Sequence, residues 1–129
     1  QLITLTRELI LSIVSSDSWL AASLTDKFLR RPPFTFLLAI VSEVIKVSGY
    51  GKGLFTEEEI TRAKTSKAMK IRFLVKILHF VAMTTEDRVD IFVVPANILS
   101  GQEAMATNMF LQSLCKGAKA YNAEDCEKA

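Results

Sequence analysis

Gly49, Gly51 and Gly53 enclose Tyr50 and Lys52 in a Gly-Tyr-Gly-Lys-Gly run, the stretch of this chain that most invites a chemical reading. Glycines around a lysine can cradle a phosphate, but that requires a preceding strand, the GxxxxGK[ST] spacing and a helix opening after the lysine. Here the glycines follow an apolar helical pattern, and Leu54 stands where Ser or Thr is needed. The run reads as a helix C-cap and a sharp turn. His79 is the only histidine, and neither HxxH nor CxxC spacing occurs, so a structural zinc site is unsupported. Cys115 lies near the end of an apolar helical pattern and reads as a small core hydrophobe rather than a nucleophile. Glu57, Glu58 and Glu59 are consecutive at a helix start. Capping explains them better than the convergent carboxylate pair of acid–base catalysis. No enzyme, cofactor or metal is expected.

Charge is more informative. Arg62, Lys64, Lys67, Lys70, Arg72 and Lys76 lie between Thr61 and Lys76 with no acidic residue among them. Arg72, Lys76 and His79 fall at i, i+4, i+7, away from Ile71, Leu74 and Leu78, which collects cations along one exposed edge. Lys52 in the glycine turn and Arg30-Arg31 before the prolines join that edge if their loops fold towards it. Such a set fits an ordinary solvated face. Its functional reading is a patch for a polyanionic surface: an acidic protein tail, an anionic membrane or nucleic acid. Tyr50 and Phe55 near Lys52 have the composition of a base-stacking platform, but read better as loop anchors.

The elements that must position these residues are helical. From Phe34, apolar residues Leu37, Leu38, Val41, Val44 and Ile45 recur at one-face spacing, and Phe36, Ile40 and Val47 thicken the stripe. Only an edge carrying Ser42, Glu43 and Lys46 is left for water, so this helix belongs at the centre of a bundle. Pro32-Pro33 sets its start and Gly49 its end. Leu2 to Val14 predicts a first helix with Leu2, Leu5, Leu9, Ile10 and Ile13 inward. Ser15-Ser16-Asp17-Ser18 breaks it, and Trp19-Leu20 anchors the connection. Ser23-Leu-Thr-Asp26 caps a short helix through Leu29. Thr56-Glu-Glu-Glu59 has capping-box spacing. Thr61 to Lys70 is ambiguous, whereas Ile71, Leu74, Ile77 or Leu78, and Val81 mark a buried helix face. Val89 to Val94 tempts as a strand but lacks a partner, and reads as an extended or single-turn connection before Pro95. Asn97 to Ser100 is a turn closed by Gly101. A last helix from Gln102 to Leu114 turns Phe110, Leu111 and Leu114 inward, and the chain from Lys116 thins into polar residues and frays.

The totals agree. A chain of 129 residues is one domain by size, able to bury roughly two-thirds of its unfolded surface. Half its residues are apolar and 23% charged, which excludes general disorder, and the net charge of +2 names no partner. Two cysteines fit free thiols in the cytosol. No apolar stretch reaches the ~20 uncharged residues of a membrane span, so the chain reads as soluble without a transmembrane segment. It opens on Gln1 without a signal pattern, as expected of a trimmed chain whose targeting is unresolved. The expected architecture is one all-α domain of about four principal helices plus short ones over residues 1–118, with a polar tail, the start of a linker, over 119–129.

Arg31-Pro-Pro-Phe34, the helix ending Ile45-Lys-Val-Ser-Gly-Tyr-Gly-Lys-Gly-Leu-Phe55, and Lys70-Ile-Arg-Phe-Leu-Val-Lys-Ile77 resemble the N-terminal domain of the intraflagellar transport subunit fifty-four family, also described as microtubule-interacting, TRAF-associated proteins. Pro95-Ala-Asn-Ile-Leu-Ser-Gly-Gln-Glu103 and Thr107-Asn-Met-Phe-Leu-Gln-Ser-Leu114 look like the end of the same domain. The resemblance runs from about Leu24 to Leu114, and the residues before it match only as a helix. It implies a calponin-homology-like fold and tubulin or microtubule binding. It also implies membership of a cilium-building transport complex B, joined through a coiled coil that these residues do not contain, so that this chain would be a fragment. Cilium or flagellum, ciliary base, cytoplasm and cytoskeleton are the implied locations. By resemblance, Lys52, Arg62, Lys64, Lys67, Lys70, Arg72 and Lys76, with Arg30 and Arg31 beside them, are the candidates for meeting acidic tubulin. The cations of Thr61–Ser66 and the apolar Ile91–Val94 depart from the family pattern.

No nucleic-acid partner is expected, although a general polyanion surface would bind DNA or liposomes as well as tubulin. The alternative to tubulin binding is a docking domain that meets another transport-complex subunit through an apolar groove near Phe92, Val93 and Val94. Fold alone does not choose, since calponin-homology folds also bind actin.

Overall fold

The computed structural model describes residues 2–14, 22, 24–85 and 87–128. In chain order its helices are α1 (Leu2–Leu11), α2 (Asp26–Arg30), α3 (Phe34–Ser48), α4 (Glu57–Ala63), α5 (Lys67–Thr84), α6 (Val89–Phe92), α7 (Pro95–Leu99) and α8 (Ala104–Lys128). No strand occurs among the described residues. The Ser15–Ser18 break, the Trp19-Leu20 anchor and Ser23 lie outside the described residues.

α3 is the central element. Phe34, Phe36, Leu37, Leu38, Ile40, Val41 and Val44 are all buried, so apolar side chains cover more than a single stripe of the helix. Gly49 closes α3 in the left-handed conformation, φ 79°, and its N–H bonds the Ile45 carbonyl; a side chain would strain that backbone. α5 and α8 supply Phe73, Leu74, Ile77 and Leu78, and Phe110, Leu111 and Leu114, to the same core. Each such side chain contributes about 1.5–3 kcal/mol by leaving water.

Local chemistry sets the starts. Thr25, inside the predicted capping stretch, accepts from the Phe28 N–H to open α2. Thr56 and Glu59 complete a capping box on α4, satisfying two N–H groups that the first turn leaves free. Ser66 caps α5 by accepting from the Met69 N–H, which resolves the ambiguous Thr61–Lys70 stretch as the end of one helix and the start of the next. The apolar run from Val89 is a single helical turn, α6.

Three expectations are corrected. On α1 Thr6 and Ile10 are buried, as is Val14 just past its end, whereas Leu5 is 44% exposed. Apolar residues on nearly every side of α1 hid which stripe faces α8, and the choice is marked by the Gln112 side chain donating to Thr6 Oγ1 at 3.0 Å. Val47 is half exposed, beyond the edge of the α3 stripe. The chain after Lys116 does not thin out at once: Gly117 and Ala118 are buried, and Tyr121 packs near Tyr50, ring centroids 6.2 Å apart. Gly117 permits the close approach of Tyr50, because a Cβ there would lie 2.6 Å from Tyr50 Cζ.

Candidate functional site

Lys64, Lys67 and Lys70 gather where α4 hands over to α5. Lys64 caps the end of α4, and Lys67 and Lys70 occupy the first turn of α5, three residues apart and therefore on one side. Lys64 and Lys67 are exposed. Lys70 lies with its Nζ 5.5 Å from the centroid of the Phe34 ring, a cation–π position, and that ring meets Phe73 edge-on at 5.8 Å. Phe34 thereby brings the Arg30-Arg31-Pro32-Pro33 connection beside the start of α5.

Arg31 stretches over the α7–α8 turn, its Nε 2.6 Å from where a Cβ on Gly101 would stand, and lines a cleft with Lys27, Phe34 and Ile98. Arg30 is exposed at the end of α2. The carboxylate nearest in sequence, Asp26, is engaged by Arg7 of α1. Lys27 is a cation of this end that the sequence reading missed; its i, i+4 spacing from Arg31 was the available signal.

The remaining candidates are divided. Arg62 pairs with Glu58 one turn earlier on α4. Lys76 pairs with Glu59 at 2.9 Å, donates to the Leu54 carbonyl oxygen at 2.7 Å, and sits 5.2 Å from the centre of the Phe55 ring. It is half-buried and committed to holding the glycine turn against α5, so it does not extend the exposed edge expected for it. Arg72 is exposed and without an ion pair among the described residues, but lies about 200° round α5 from Lys70. It faces the α4–α5 groove lined by Met69 and Val75.

Lys52 is exposed at the other end of α5, beside a cleft of about 510 Å³ lined by Phe80 and Thr84. Ten residues of helix separate Lys70 from Phe80, a rise of about 15 Å. His79 is likewise exposed, near an Asp90 carboxylate that is favoured first by the hydrogen bonds from Arg88 and only least by His79. Six cations in one sequence run thus resolve into a basic end of three, Lys64, Lys67 and Lys70, and a mixed-charge groove that holds Arg62, Arg72 and Lys76 with Glu58 and Glu59, while Lys52 stands apart.

Electrostatics sharpens the basic end. The N-terminus of α5 carries the positive pole of the helix dipole, yet its first turn holds two lysines and no acid. From Ile60 to Thr85 the chain has no Asp or Glu at all. That local positive potential is the condition under which an anionic surface is attracted. Among the described residues no group of three or more His, Cys, Asp or Glu is placed to hold a metal ion. No helix there is long and apolar enough to cross a membrane.

An all-α, calponin-homology-like domain with one concentrated cationic end is the class that the fold and the site define. The chain belongs to the family of the microtubule-binding protein MIP-T3, whose CH-like domain model matches residues 4–120. TRAF3-interacting protein 1 of Mus musculus is 38% identical over 94 residues, covering 72% of this chain and 15% of that protein. The protein of the same name from Rattus norvegicus is 38% identical over 94 residues, 72% of this chain and 14% of its own length. The Danio rerio protein matches at the same 38% over 94 residues, with 15% of its length covered. The chain therefore spans about 15% of the length of these relatives.

Proposed function

We propose that this domain binds tubulin or the microtubule wall, without catalysis, through the basic end formed by Lys64, Lys67 and Lys70 with Arg30 and Arg31 beside them. Within a longer protein it serves as the tubulin-binding module of an intraflagellar transport complex B subunit in cilium assembly, at the ciliary base, along the cilium and on the cytoskeleton. The observation that carries this reading is the three lysines at the junction of α4 and α5 with no carboxylate from Ile60 to Thr85. Two of them oppose the helix dipole, a modest local cost that an acidic filament surface would reverse on contact. The family's description as microtubule-binding supplies the filament.

Co-sedimentation with microtubules tests it. Charge reversal at Lys64, Lys67 and Lys70 to Glu abolishes binding while circular dichroism and thermal midpoint stay near those of the parent. Binding by the parent weakens as salt rises, since exposed charges are screened over ~10 Å at 0.1 M. Retained binding by the triple variant, or an affinity indifferent to salt, overturns the reading. Equal affinity for DNA or anionic liposomes would mark a general polyanion surface instead.

A second reading has one observation in its favour. Ile91 is 69% and Val94 45% exposed on either side of the buried Val93, an apolar surface suited to docking another subunit of the complex. Ile91→Asp with Val94→Asp separates the two, leaving tubulin binding intact and removing subunit capture if docking occurs there.

A further inference from the structure

Arg62 is the only arginine in the chain followed three residues later by a serine or threonine, in the sequence Arg62-Ala-Lys-Thr65-Ser66. Arginine at that offset is what an acidic kinase cleft selects upstream of the hydroxyl it modifies. Both residues lie on the surface: Arg62 and Thr65 are exposed, and Thr65 sits in the short connection between α4 and α5. The two hydroxyls of that connection are not equivalent. Ser66 Oγ is occupied in capping α5, accepting from Met69 N at 3.3 Å. Thr65 Oγ1 makes no hydrogen bond among the described residues, so modifying it removes no cap and leaves no buried group unpaired.

We propose that Thr65 is a phosphorylation site for an arginine-directed protein kinase, and that its phosphate switches off the basic end. The inference rests on the function proposed above and adds its regulation. In the transfer, the Thr65 hydroxyl oxygen bonds to the γ-phosphorus of ATP as the bond to the β,γ-bridging oxygen breaks. ADP departs with that oxygen, and the hydroxyl proton passes to the kinase. The kinase takes its substrate extended, so the connection opens locally. What holds it is three backbone bonds, Lys64 and Thr65 N–H to the Thr61 and Arg62 carbonyls at 3.2 Å and Ser66 N–H to the Arg62 carbonyl at 3.0 Å, and the opening also draws the buried Ala63 out of the core. The product carries about −1.5 to −2 charges at neutral pH. It is set between Lys64 and Lys67, where it neutralises about half to two-thirds of the charge of the three lysines and repels an acidic partner.

The test uses the whole chain, Mg-ATP and the calmodulin-dependent protein kinase that selects Arg-x-x-Ser/Thr. Intact mass and fragment spectra locate the phosphate, and co-sedimentation measures its effect. The expected result is one phosphate on Thr65, a rate strongly reduced by Arg62→Ala, and microtubule affinity lowered about tenfold or more by the modification. Thr65→Val accepts no phosphate and binds microtubules as the parent does; Thr65→Glu, with a single charge, weakens binding less than the phosphate. Label elsewhere or nowhere overturns the site, and unchanged affinity of the Thr65-phosphorylated chain overturns the switch. Should the unmodified chain fail to bind microtubules, the function proposed above falls along with the switch, while the mass spectra still decide the site.

Discussion

Lys76 Nζ lies 2.9 Å from Glu59 Oε2 and 2.7 Å from the Leu54 carbonyl oxygen. One ammonium group therefore joins α5 to the capping box of α4 and to the end of the glycine turn, with the Phe55 ring beside it. Phe55 in turn stacks on Phe73 at 4.3 Å, so the lysine closes a structural unit.

Lys76→Met should separate architecture from binding. It keeps the aliphatic stem and loses the charge, so the thermal midpoint should fall by roughly 2–5 °C. Microtubule affinity should stay within about twofold, because the basic end is a separate site. Co-sedimentation beside thermal melts checks both, and a large loss of affinity without loss of stability would return Lys76 to the binding surface.

The Glu59 carboxyl is held below its ordinary range, first by the hydrogen bond from Lys76 and then by the Thr56 backbone N–H. With the folded value depressed, the unfolded chain takes up the proton first, so stability rises with pH across that interval. The contribution is complete above the ordinary value of 4.5 and is lost as pH falls through the lower folded value. Because the group is partly open to solvent, salt screening keeps the effect small. Urea midpoints of the parent and Glu59→Gln should differ at neutral pH and converge in acid. A gap that persists in acid would mean the carboxylate charge is not its source.

Gly117→Ala tests the approach of α8 to the glycine turn. The new methyl would stand 2.6 Å from Tyr50 Cζ, on a ring that is 4% exposed and packed on Phe80 at 4.8 Å. Displacing it should cost about 1–3 kcal/mol, outweighing the gain in helix propensity. Denaturant titration reads the difference, and a stabilised variant would show that Tyr50 yields freely.

Burial pushes the Cys115 thiol up to about 12, partly offset by Lys119. In a Cys126→Ser background, Cys115 should react with a disulfide reagent at about pH 8 only as fast as the domain opens, and promptly in urea. Stability should also fall as pH rises past the ordinary value of 9.0, because the unfolded thiol then ionises while the folded one keeps its proton. Prompt labelling of the native protein would contradict this burial.

By itself the sequence determined what nearest-neighbour chemistry can determine. The apolar stripe of α3, its Gly49 end and the Thr56–Glu59 capping box are consequences of side chains within about one helical turn of each other, whereas Val89 onward stayed open between an extended stretch and a single turn. The resemblance carried by Arg31-Pro-Pro-Phe34 and the Gly-Lys-Gly turn pointed to the family, and the family model's match over residues 4–120 shows it. The i, i+4 spacing of Glu58 and Arg62 was readable too. Tertiary structure alone decided which stripe of α1 faces α8, since apolar residues there surround the helix. It alone put Lys76 against Glu59, seventeen residues away, laid Lys70 over Phe34, and sent Lys52 to the far end of α5. The reason is physical: a run of like charges records how many cations there are, whereas whether each meets a carboxylate, a ring or water depends on contacts between helices, which no local pattern encodes.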